Sequence, residues 1–484
     1  MKNNLLMFFL FLTVLVVINL DASAATQSSI SVENSASVTQ IGALLPLWSV
    51  IPFIGVLLSI ALFPLFASNF WHNHFPKISA FWALLFAVPF LFVFKGNGLY
   101  EIVHIYIIDY IPFIILLWAL FTISGNIYIR GSAKETPAVN SILLLTGAVL
   151  ASIIGTTGAS MLLIRTVLRT NKLRKYKVHT IVFFIFLVGN IGGSLTPIGD
   201  PPLFLGFIHG VPFLWTMKLL PITAFTVFIL ITIYYLMDKY YYSKEDAASL
   251  LENDSESIKI EGGHNFIFLI GVIGAVVFSG IVKLGEVNIF GIHQTVENLI
   301  KDAFLILMGI LALATTEKKV RIDNSFDWIP IREVAILFAG IFMTIIPALA
   351  MLKAGEHGAF ASLVKSMESP AHYFWVSGSL SSFLDNAPTY LTFFSSLLGK
   401  FYPGMQEAEA VAKLIAERAP YLMAISAGSV FMGAVTYIGN APNFMIKSIS
   451  EEFGVDMPSF FGYMFKYSIP VLVPLFIVIT LVFF

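Results

Sequence analysis

Long apolar runs dominate this chain, in place of the alternation of apolar and polar positions that is typical of half-buried strands and amphipathic helices. Each run is about 20 residues long, which is the length of helix that crosses the hydrocarbon core of a bilayer. The pattern therefore predicts an all-α polytopic membrane protein. The predicted spans lie at about 43–68, 78–96, 103–129, 178–217, 218–236, 264–283, 302–317, 334–352, 421–447 and 457–484, and those at 178–217 and 421–447 are interrupted.

The composition agrees with this prediction. The chain has 484 residues, of which 57% are hydrophobic and 12% are charged, and its mean hydropathy is +0.86. Soluble domains carry about 25% charged residues, so a soluble enzyme is excluded. The net charge of -1 offers no attraction to a nucleic acid, and the lack of cysteine excludes thiol catalysis. No ATP-binding or hydrolase motif occurs, so we expect neither an enzyme nor a bound cofactor.

The first 24 residues are typical of a secretory signal peptide. Lys2 precedes an apolar stretch from Leu5 to Leu20, and the small residues 22–24 form a cleavage pattern. An uncleaved first helix is the alternative. The following segment, 25–42, is polar and is expected to lie outside the membrane, ahead of the first span.

Two further apolar stretches, 141–164 and 372–399, are broken near their centres by turn-forming residues at 155–158 and 385–388. Half of the first stretch is about 12 residues, which makes a helix about 18 Å long. A helix of that length is too short for a membrane core of about 30 Å. We therefore predict two re-entrant hairpins, each of which enters and leaves the membrane on one side.

Basic residues predict the orientation. Six of them occur in 165–177 without an acidic residue, and Arg130 and Lys134 precede the first hairpin. Because cytoplasmic loops carry the excess of positive charge, both flanks of this hairpin are predicted inside. Counting spans from there places both flanks of the second hairpin outside. The predicted regions are a first transmembrane half (43–236), a cytoplasmic linker (237–263) and a second transmembrane half (264–484).

The chain contains an internal repeat. Residues 194–206 align without gaps to residues 434–446, with identity at five of thirteen positions. The hairpin centres correspond as well, 156–160 with 385–389, and each precedes its partner motif. Since the two halves are predicted in opposite orientations, this is an inverted-topology repeat, which is the architecture of secondary transporters.

Two carboxylates stand alone inside these motifs. Asp200 is the only charged residue between Lys177 and Lys218, and Asp385 is the only one between Glu368 and Lys400. Burying a carboxylate in a membrane costs at least a few kcal/mol, so an intramembrane Asp indicates function. The alternative is a capping Asp that only stabilises the helix break.

Other polar residues of the same segments are weaker candidates for ion ligands. Their alternative role is to satisfy backbone groups at the breaks. Asn190 lies in a glycine-rich segment that also suits close helix packing, and Asp109 could line a pathway or lie at the outer interface. The candidates within the motifs are Asn386, Asn440, Thr157, Ser160, Thr389, Thr196 and Thr436.

The chain resembles the ion transporter superfamily, and most closely its NhaD-type sodium/proton antiporters and the related citrate-transporter-like families. The resemblance rests on SLTPIGDPPLFLGF at 194–207, DNAPTYLTF at 385–393 and TYIGNAPNFM at 436–445. It implies a homodimer with two re-entrant hairpins facing two unwound helices and with elevator-type alternating access. It also implies one sodium site at Thr156, Thr157, Gly199 and Asp200, and a second at Asp385, Asn386, Gly439 and Asn440.

The hairpin tips depart from the carboxylate-transporting relatives, which carry Ser-Asn-Thr at both tips. The leading hypothesis is exchange of sodium or lithium for protons, in which both compete for Asp200 and Asp385. Sodium-coupled uptake of citrate or another di- or tricarboxylate is the alternative, and arsenite or sulfate transport, a channel or a non-transporting scaffold remain open. The expected partners are small ions and lipid, and the expected location is the inner (plasma) membrane of a bacterium.

Overall fold

The computed structural model describes residues 41–131, 134–245, 259–324 and 326–484. The predicted signal segment (1–24) and nearly all of the polar segment (25–42) lie outside the described residues. Most of the described residues are helical, which confirms the all-α prediction.

The first half contains these helices before the linker: α1 (Ile51–Phe66), α2 (Ser68–Ile105), α3 (Ile111–Gly125), α4 (Pro137–Ile154), α5 (Thr156–Thr170), α6 (Val178–Leu187), α7 (Pro201–Ile208) and α8 (Leu220–Tyr242). A π-helical turn, Tyr106–Tyr110, joins α2 to α3. A short strand, β1 (Tyr128–Arg130), follows α3.

The predicted linker contains strand β2 (Lys259–Glu261), which pairs antiparallel with β1, and the second half follows it. Strands β3 (Glu286–Ile289) and β4 (Ile292–Thr295) form a second antiparallel pair. Its helices are α9 (Asn265–Ile281), α10 (Val296–Thr315), α11 (Lys318–Asp323), α12 (Ile329–Thr344), α13 (Ile346–Lys353), α14 (Ala361–Ser366), α15 (Pro370–Phe383), α16 (Asn386–Phe401), α17 (Glu407–Glu417), α18 (Ala419–Met432), α19 (Ala441–Glu452), α20 (Phe460–Tyr463) and α21 (Ile469–Phe483).

The described part of the chain has seven helices long and apolar enough to cross a membrane, or eight if the bent pair α12–α13 is one span. This confirms a multi-pass membrane protein. One of the seven, Asn69–Gly125, would be about 85 Å long if it were straight. It reverses instead at Lys95, whose φ is 48°. The chain runs along α12 in opposite directions before and after this turn. Trp71 and Ser79 bond to Glu333 and Ile336, whereas Tyr106 and Tyr110 bond to Ala339 and Ala335.

Helices α4 and α5 form the first hairpin, with the break at Gly155 (φ 81°). Asn140, near the start of α4, bonds to Asn171, just after α5, so the two open ends lie together. The length argument for this hairpin was wrong, because the 18 residues of α4 make about 27 Å of helix, nearly enough to cross a bilayer. The hairpin geometry therefore depends on the reversal at Gly155, and its re-entry into a membrane stays a prediction.

Helices α15 and α16 form the second hairpin, which breaks at Asp385. The start of α15 and the end of α16 lie together, because Lys400 donates to the carbonyl oxygen of Met367. The first hairpin opens beside His179 at the start of α6, whereas the second opens towards His209 at the end of α7. The two hairpins thus open towards opposite ends of the molecule, and their entry from opposite faces of a membrane stays a prediction.

Each half also contains one broken helix that faces the hairpins. Helix α6 ends at Leu187, a short 3-10 turn follows, and the chain is extended at Thr196 and again at Asp200 before α7 begins. The second half repeats this order with α18, a 3-10 turn, extended Thr436 and Asn440, and then α19. Proline in the first turn of α7 and of α19 explains the restart, because proline fits that turn and cannot continue a preceding helix.

The linker joins the halves on the face where the first hairpin opens. Helix α8 runs into the predicted linker as far as Tyr242, and β2 returns the chain to β1 beside that hairpin. Residues 246–258 of the linker lie outside the described residues.

Candidate functional site

Asp200 lies at the centre of the molecule, in the break between α6 and α7. Its backbone is extended and the residue is only 1% exposed. Although it occupies the N-cap position of α7, its side chain makes no capping hydrogen bond. The carboxylate is therefore available to groups from other elements.

Three side chains donate to this carboxylate. Thr156 Oγ1 lies 2.9 Å from Asp200 Oδ1, and Asn440 Nδ2 lies 3.0 Å from the same oxygen. Asn386 Nδ2 lies 2.5 Å from Oδ2. The donors come from the two hairpin tips and from the other broken helix, so both repeats meet at one carboxylate. The structure thus brings together four of the residues that the sequence singled out.

Glycine allows each break to fold back closely on itself beside a hairpin tip. The Thr156 amide donates to the Gly199 carbonyl oxygen over 2.8 Å, and Thr157, the next residue of the tip, is half-buried. A Cβ atom at position 199 would lie 2.1 Å from the Gly193 carbonyl oxygen, and one at Gly439 would lie 2.6 Å from the Gly433 carbonyl oxygen. Neither position has room for a side chain.

Thr196 and Thr436 connect the breaks to the hairpins by hydrogen bonds. Thr196 Oγ1 donates to the Ser152 carbonyl oxygen and accepts from the Gly199 amide. Thr436 makes the corresponding pair of bonds with the Ser382 carbonyl oxygen and the Gly439 amide. In the described structure both hydroxyls satisfy backbone groups, which is the alternative that the sequence left open.

These bonds correct the register of the repeat. The Ser152 hydroxyl donates to the Gly192 carbonyl oxygen, as the Ser382 hydroxyl donates to the Met432 carbonyl oxygen. The equivalence of Ser152 with Ser382 pairs Thr156 with Asn386, one residue away from the sequence alignment, which paired Thr156 with Asp385. Asp385 therefore corresponds to Gly155, and the two carboxylates are not counterparts in the repeat.

Asp385 has a different environment from Asp200. It is half-buried, and its Oδ1 accepts from the Ala387 amide at the start of α16, so it caps that helix. Its carbonyl oxygen accepts from Thr389 Oγ1 over 2.9 Å. It is close enough to Asp200 for the two carboxylates to interact electrostatically. Asp385 thus combines the capping role with a second negative charge at the site.

Asparagines connect the two broken helices. Asn190 Nδ2 donates to Asn443 Oδ1 over 2.7 Å, and Asn440 Nδ2 also reaches the Gly189 carbonyl oxygen. Within the described residues, the buried polar atoms without a hydrogen-bond partner include Asn386 Oδ1, Asn190 Oδ1 and Ser160 Oγ. These oxygens are available to a ligand.

Asp109 lies elsewhere. It is buried in the π-helical turn, and His209 Nε2 lies 2.7 Å from its Oδ1. His209 Nδ1 contacts Glu407, which also pairs with Lys353 over 2.8 Å. Burial raises the pKa of Glu407, but Lys353 and His209 outweigh burial and hold that pKa well below its ordinary value. Asp109 therefore belongs to an ionic cluster at the end of α7.

The charge at the central site is negative. Within the described parts of the chain, no lysine or arginine acts on Asp200 or Asp385. No group of three or more His, Cys, Asp or Glu side chains there could hold a metal ion. The site offers one buried carboxylate, a second half-buried one, and amide and hydroxyl groups, a set that suits a proton or an alkali cation better than an unaccompanied anion.

The family comparison decides the class of protein. A family model described as "Putative citrate transport" matches residues 42–484. The chain belongs to this citrate transport family. No curated protein matches the chain significantly. Membership makes the chain a membrane-embedded secondary transporter, which confirms the coarser part of the sequence prediction, whereas the NhaD-type assignment stays a prediction.

Sequence reasoning missed some residues of the site. Ser152 and Ser382 each precede a hairpin tip by four residues, a match that becomes visible only in the corrected register. Asn443 has no polar counterpart in the first repeat, where Leu203 stands. His209 is a single histidine in an apolar stretch, and no local pattern signals its partners.

Proposed function

We propose that this member of the citrate transport family exchanges sodium or lithium for protons at Asp200. One observation carries the proposal: a fully buried carboxylate receives hydrogen bonds from Thr156, Asn386 and Asn440, which belong to both repeats, and no basic side chain among the described residues neutralises it. Neutral donors compensate only part of the cost of burying a charge. A bound cation or proton compensates the remaining part of that cost.

Exchange follows from competition for this one group. A bound sodium ion and a bound proton each neutralise Asp200, so the site carries one or the other, and no separate coupling device is required. The Asn386 amide provides a means of adaptation, because its buried Oδ1 has no partner among the described residues while its Nδ2 faces Asp200. Rotating the amide by half a turn would present an oxygen to an incoming cation. Asp385 adds a second negative charge beside it.

Alternating access would come from the inverted repeat. Both tips and both breaks meet at Asp200, so a movement that exposes the site to one face and then to the other must carry these four elements together. The resemblance to the NhaD-type antiporters suggests that this happens within a homodimer in the inner membrane of a bacterium, and we include both features in the proposal.

Sodium-coupled uptake of citrate or a related carboxylate is the second candidate, and the family match favours it. The charges at the site bear against a free polyanion, because Asp200 and Asp385 would repel it. Sodium bound at Asp200 would remove part of that repulsion. Asp200 is therefore a cation ligand in both candidates. They differ in whether a proton or a carboxylate is the second transported species.

Transport by the purified protein in liposomes separates the two candidates. The liposomes carry an imposed pH gradient and an internal pH dye, and NaCl, LiCl, KCl or sodium citrate is added outside. Exchange predicts that sodium and lithium chloride dissipate the gradient, with no further effect of citrate. Uptake of labelled citrate that requires sodium, without a response to the chloride salts, would replace exchange by the second candidate. Failure of both would refute the proposal.

A further inference from the structure

His209 lies immediately after α7, the eight-residue helix that begins next to Asp200. It lies in a short connection between apolar helices, and its side chain is only 9% exposed. Helix α7 is short and continuous, so a displacement of its His209 end also displaces its Asp200 end. The contacts of His209 therefore bear on the position of the central carboxylate.

Both ring nitrogens of His209 face carboxylates. Nε2 lies 2.7 Å from Asp109 Oδ1, and Nδ1 contacts Glu407 Oε1. A carboxylate only accepts hydrogen bonds, and a neutral imidazole donates from one nitrogen alone. The geometry therefore requires the doubly protonated ring, because a neutral ring would turn a lone pair towards one of the two carboxylates.

The two carboxylates belong to separate elements. Asp109 lies in the π-helical turn, whose tyrosines Tyr106 and Tyr110 bond to α12. Glu407 begins α17, between the second hairpin and α18, and it is bonded to Lys353 at the end of α13. His209 thus connects the end of α7 to the π-turn and α12 on one side and to α17 on the other. His209 is joined covalently to α7, and its contacts with the π-turn and with α17 are ionic.

Every charged group facing His209 can be named from the elements packed around it. Asp109 comes from the π-turn, Glu407 from α17 and Lys353 from α13. Glu101 and His104, in the last turns of α2, complete the cluster through their interactions with Lys353 and with His209 itself. Glu407 is 35% exposed, so protons from the solvent on that face reach the cluster.

We propose that His209 is a positioning residue that holds α7, and with it Asp200, in binding geometry only while its ring is doubly protonated. Alkaline solution on the His209 face removes one ring proton and frees the end of α7. The apparent affinity of the central site for its cation then falls. Proton competition at Asp200 acts in the opposite direction, because it makes the apparent cation affinity rise with pH. An alkaline fall in affinity is therefore the signature of His209.

The transport test rests on the proposed function and measures the cation KM against the pH on the His209 face. His209→Gln should raise KM about tenfold at neutral pH, within the usual range of site-to-site coupling, and should abolish the alkaline change. His209→Arg supplies two donors that stay protonated. Its KM should therefore equal that of wild type at neutral pH and should not rise at alkaline pH. His293→Gln alters a partly exposed histidine paired with Glu286 and should behave as wild type. A wild-type pH profile in His209→Gln or His209→Arg would overturn the proposal.

A second measurement needs no transported substrate. Val211, two residues beyond His209, is 4% exposed, and the chain contains no cysteine. At alkaline pH, Val211→Cys should react with an impermeant maleimide about fivefold faster than Val211→Cys/His209→Arg does at the same pH. This factor lies within the usual range of site-to-site coupling. The two should react alike at acidic pH. Equal rates at both pH values would overturn the inference, whereas a labelling response without sodium or citrate transport would refute only the proposed function.

Discussion

At the scale of single residues, Asp200 is the side chain whose burial needs most explanation. A carboxylate without a cationic partner is costly in a membrane interior, and hydrogen bonds from neutral donors offset only part of that cost. Thr156, Asn386 and Asn440 supply such bonds, and they come from three elements that are far apart in the chain. Their convergence is better explained by a ligand-binding role than by the local stability of the break, because Asp200 does not cap its own helix.

Replacing Asp200 should abolish transport without unfolding the protein. Asp200→Asn keeps the shape of the side chain and removes the charge that a cation or proton neutralises. We expect transport in liposomes to fall to the background of empty liposomes, while size-exclusion behaviour stays that of wild type. Asp456→Asn is the matched control, since Asp456 is exposed and should have no effect. Transport near the wild-type rate in Asp200→Asn would remove this residue from the mechanism.

Asn386 should affect affinity more than rate. Asn386→Ala removes the donor to Asp200 Oδ2 and the unpaired oxygen beside it. The expected result is a KM for the cation about tenfold higher, as for other groups that orient a ligand, with a smaller change in maximal rate. Asn73→Ala is the control, because Asn73 is exposed and bonds only to its own helix. An unchanged KM would show that Asn386 only supports the hairpin tip.

At the scale of elements, the two breaks depend on glycine and on bonds between hairpin and helix. The break before α7 approaches its neighbours so closely that Gly199 and Gly193 must both lack a side chain. Thr196 and Ser152 then satisfy carbonyl oxygens that the missing helical turn leaves free, which a nonpolar interior requires. The unwound segments are therefore held in place by specific bonds to the hairpins.

A methyl group at Gly199 should disrupt the site. Gly199→Ala places a Cβ 2.1 Å from the Gly193 carbonyl oxygen, so these two segments of the break must move apart. The Gly199 carbonyl oxygen, which accepts from the Thr156 amide of the hairpin tip, moves with them. We expect loss of transport together with a lower unfolding temperature in detergent. Gly274→Ala is the control, because a Cβ there meets nothing within 4 Å and lies inside α9, where alanine favours helix. Wild-type stability and transport in Gly199→Ala would contradict this account of the break.

At the scale of the whole molecule, the hairpins open at opposite ends and their tips meet at one carboxylate. Proximity of β1 to β2 places the linker at the end where the first hairpin opens. The His209 cluster lies at the other end, where α7, α13 and α17 meet. The molecule thus has two distinct faces and a central site, which is the arrangement that alternating access needs.

Labelling of introduced cysteines should reveal these two faces. Lys172 follows the first hairpin and Glu409 follows the second, and both are exposed. In sealed cells an impermeant maleimide should label Glu409→Cys and should leave Lys172→Cys unlabelled until the membrane is permeabilised. Lys318 lies in α11, whose Arg321 bonds to Asn126 close before β1, so Lys318→Cys should behave like Lys172→Cys. Labelling of both hairpin flanks from the same side would refute the inverted arrangement.

The sequence predicted the breaks and singled out Asp200, because isolated charges and paired Gly and Pro motifs are visible along the chain. It could not place the second hairpin in register, since Asp385 and Asn386 are adjacent and only hydrogen bonds such as that of Ser382 fix the equivalence. The cluster around His209 was also beyond reach, because its members lie up to hundreds of positions apart and share no repeat.

The most direct test of the central claim is whether sodium binds at Asp200. The purified protein is heated in detergent with increasing NaCl, against choline chloride at equal ionic strength, because a ligand that binds only the folded state raises the unfolding temperature. We predict a sodium-dependent rise for wild type and for Asp456→Asn, and none for Asp200→Asn. A full sodium-dependent rise in Asp200→Asn would contradict the account, because the cation would then bind elsewhere.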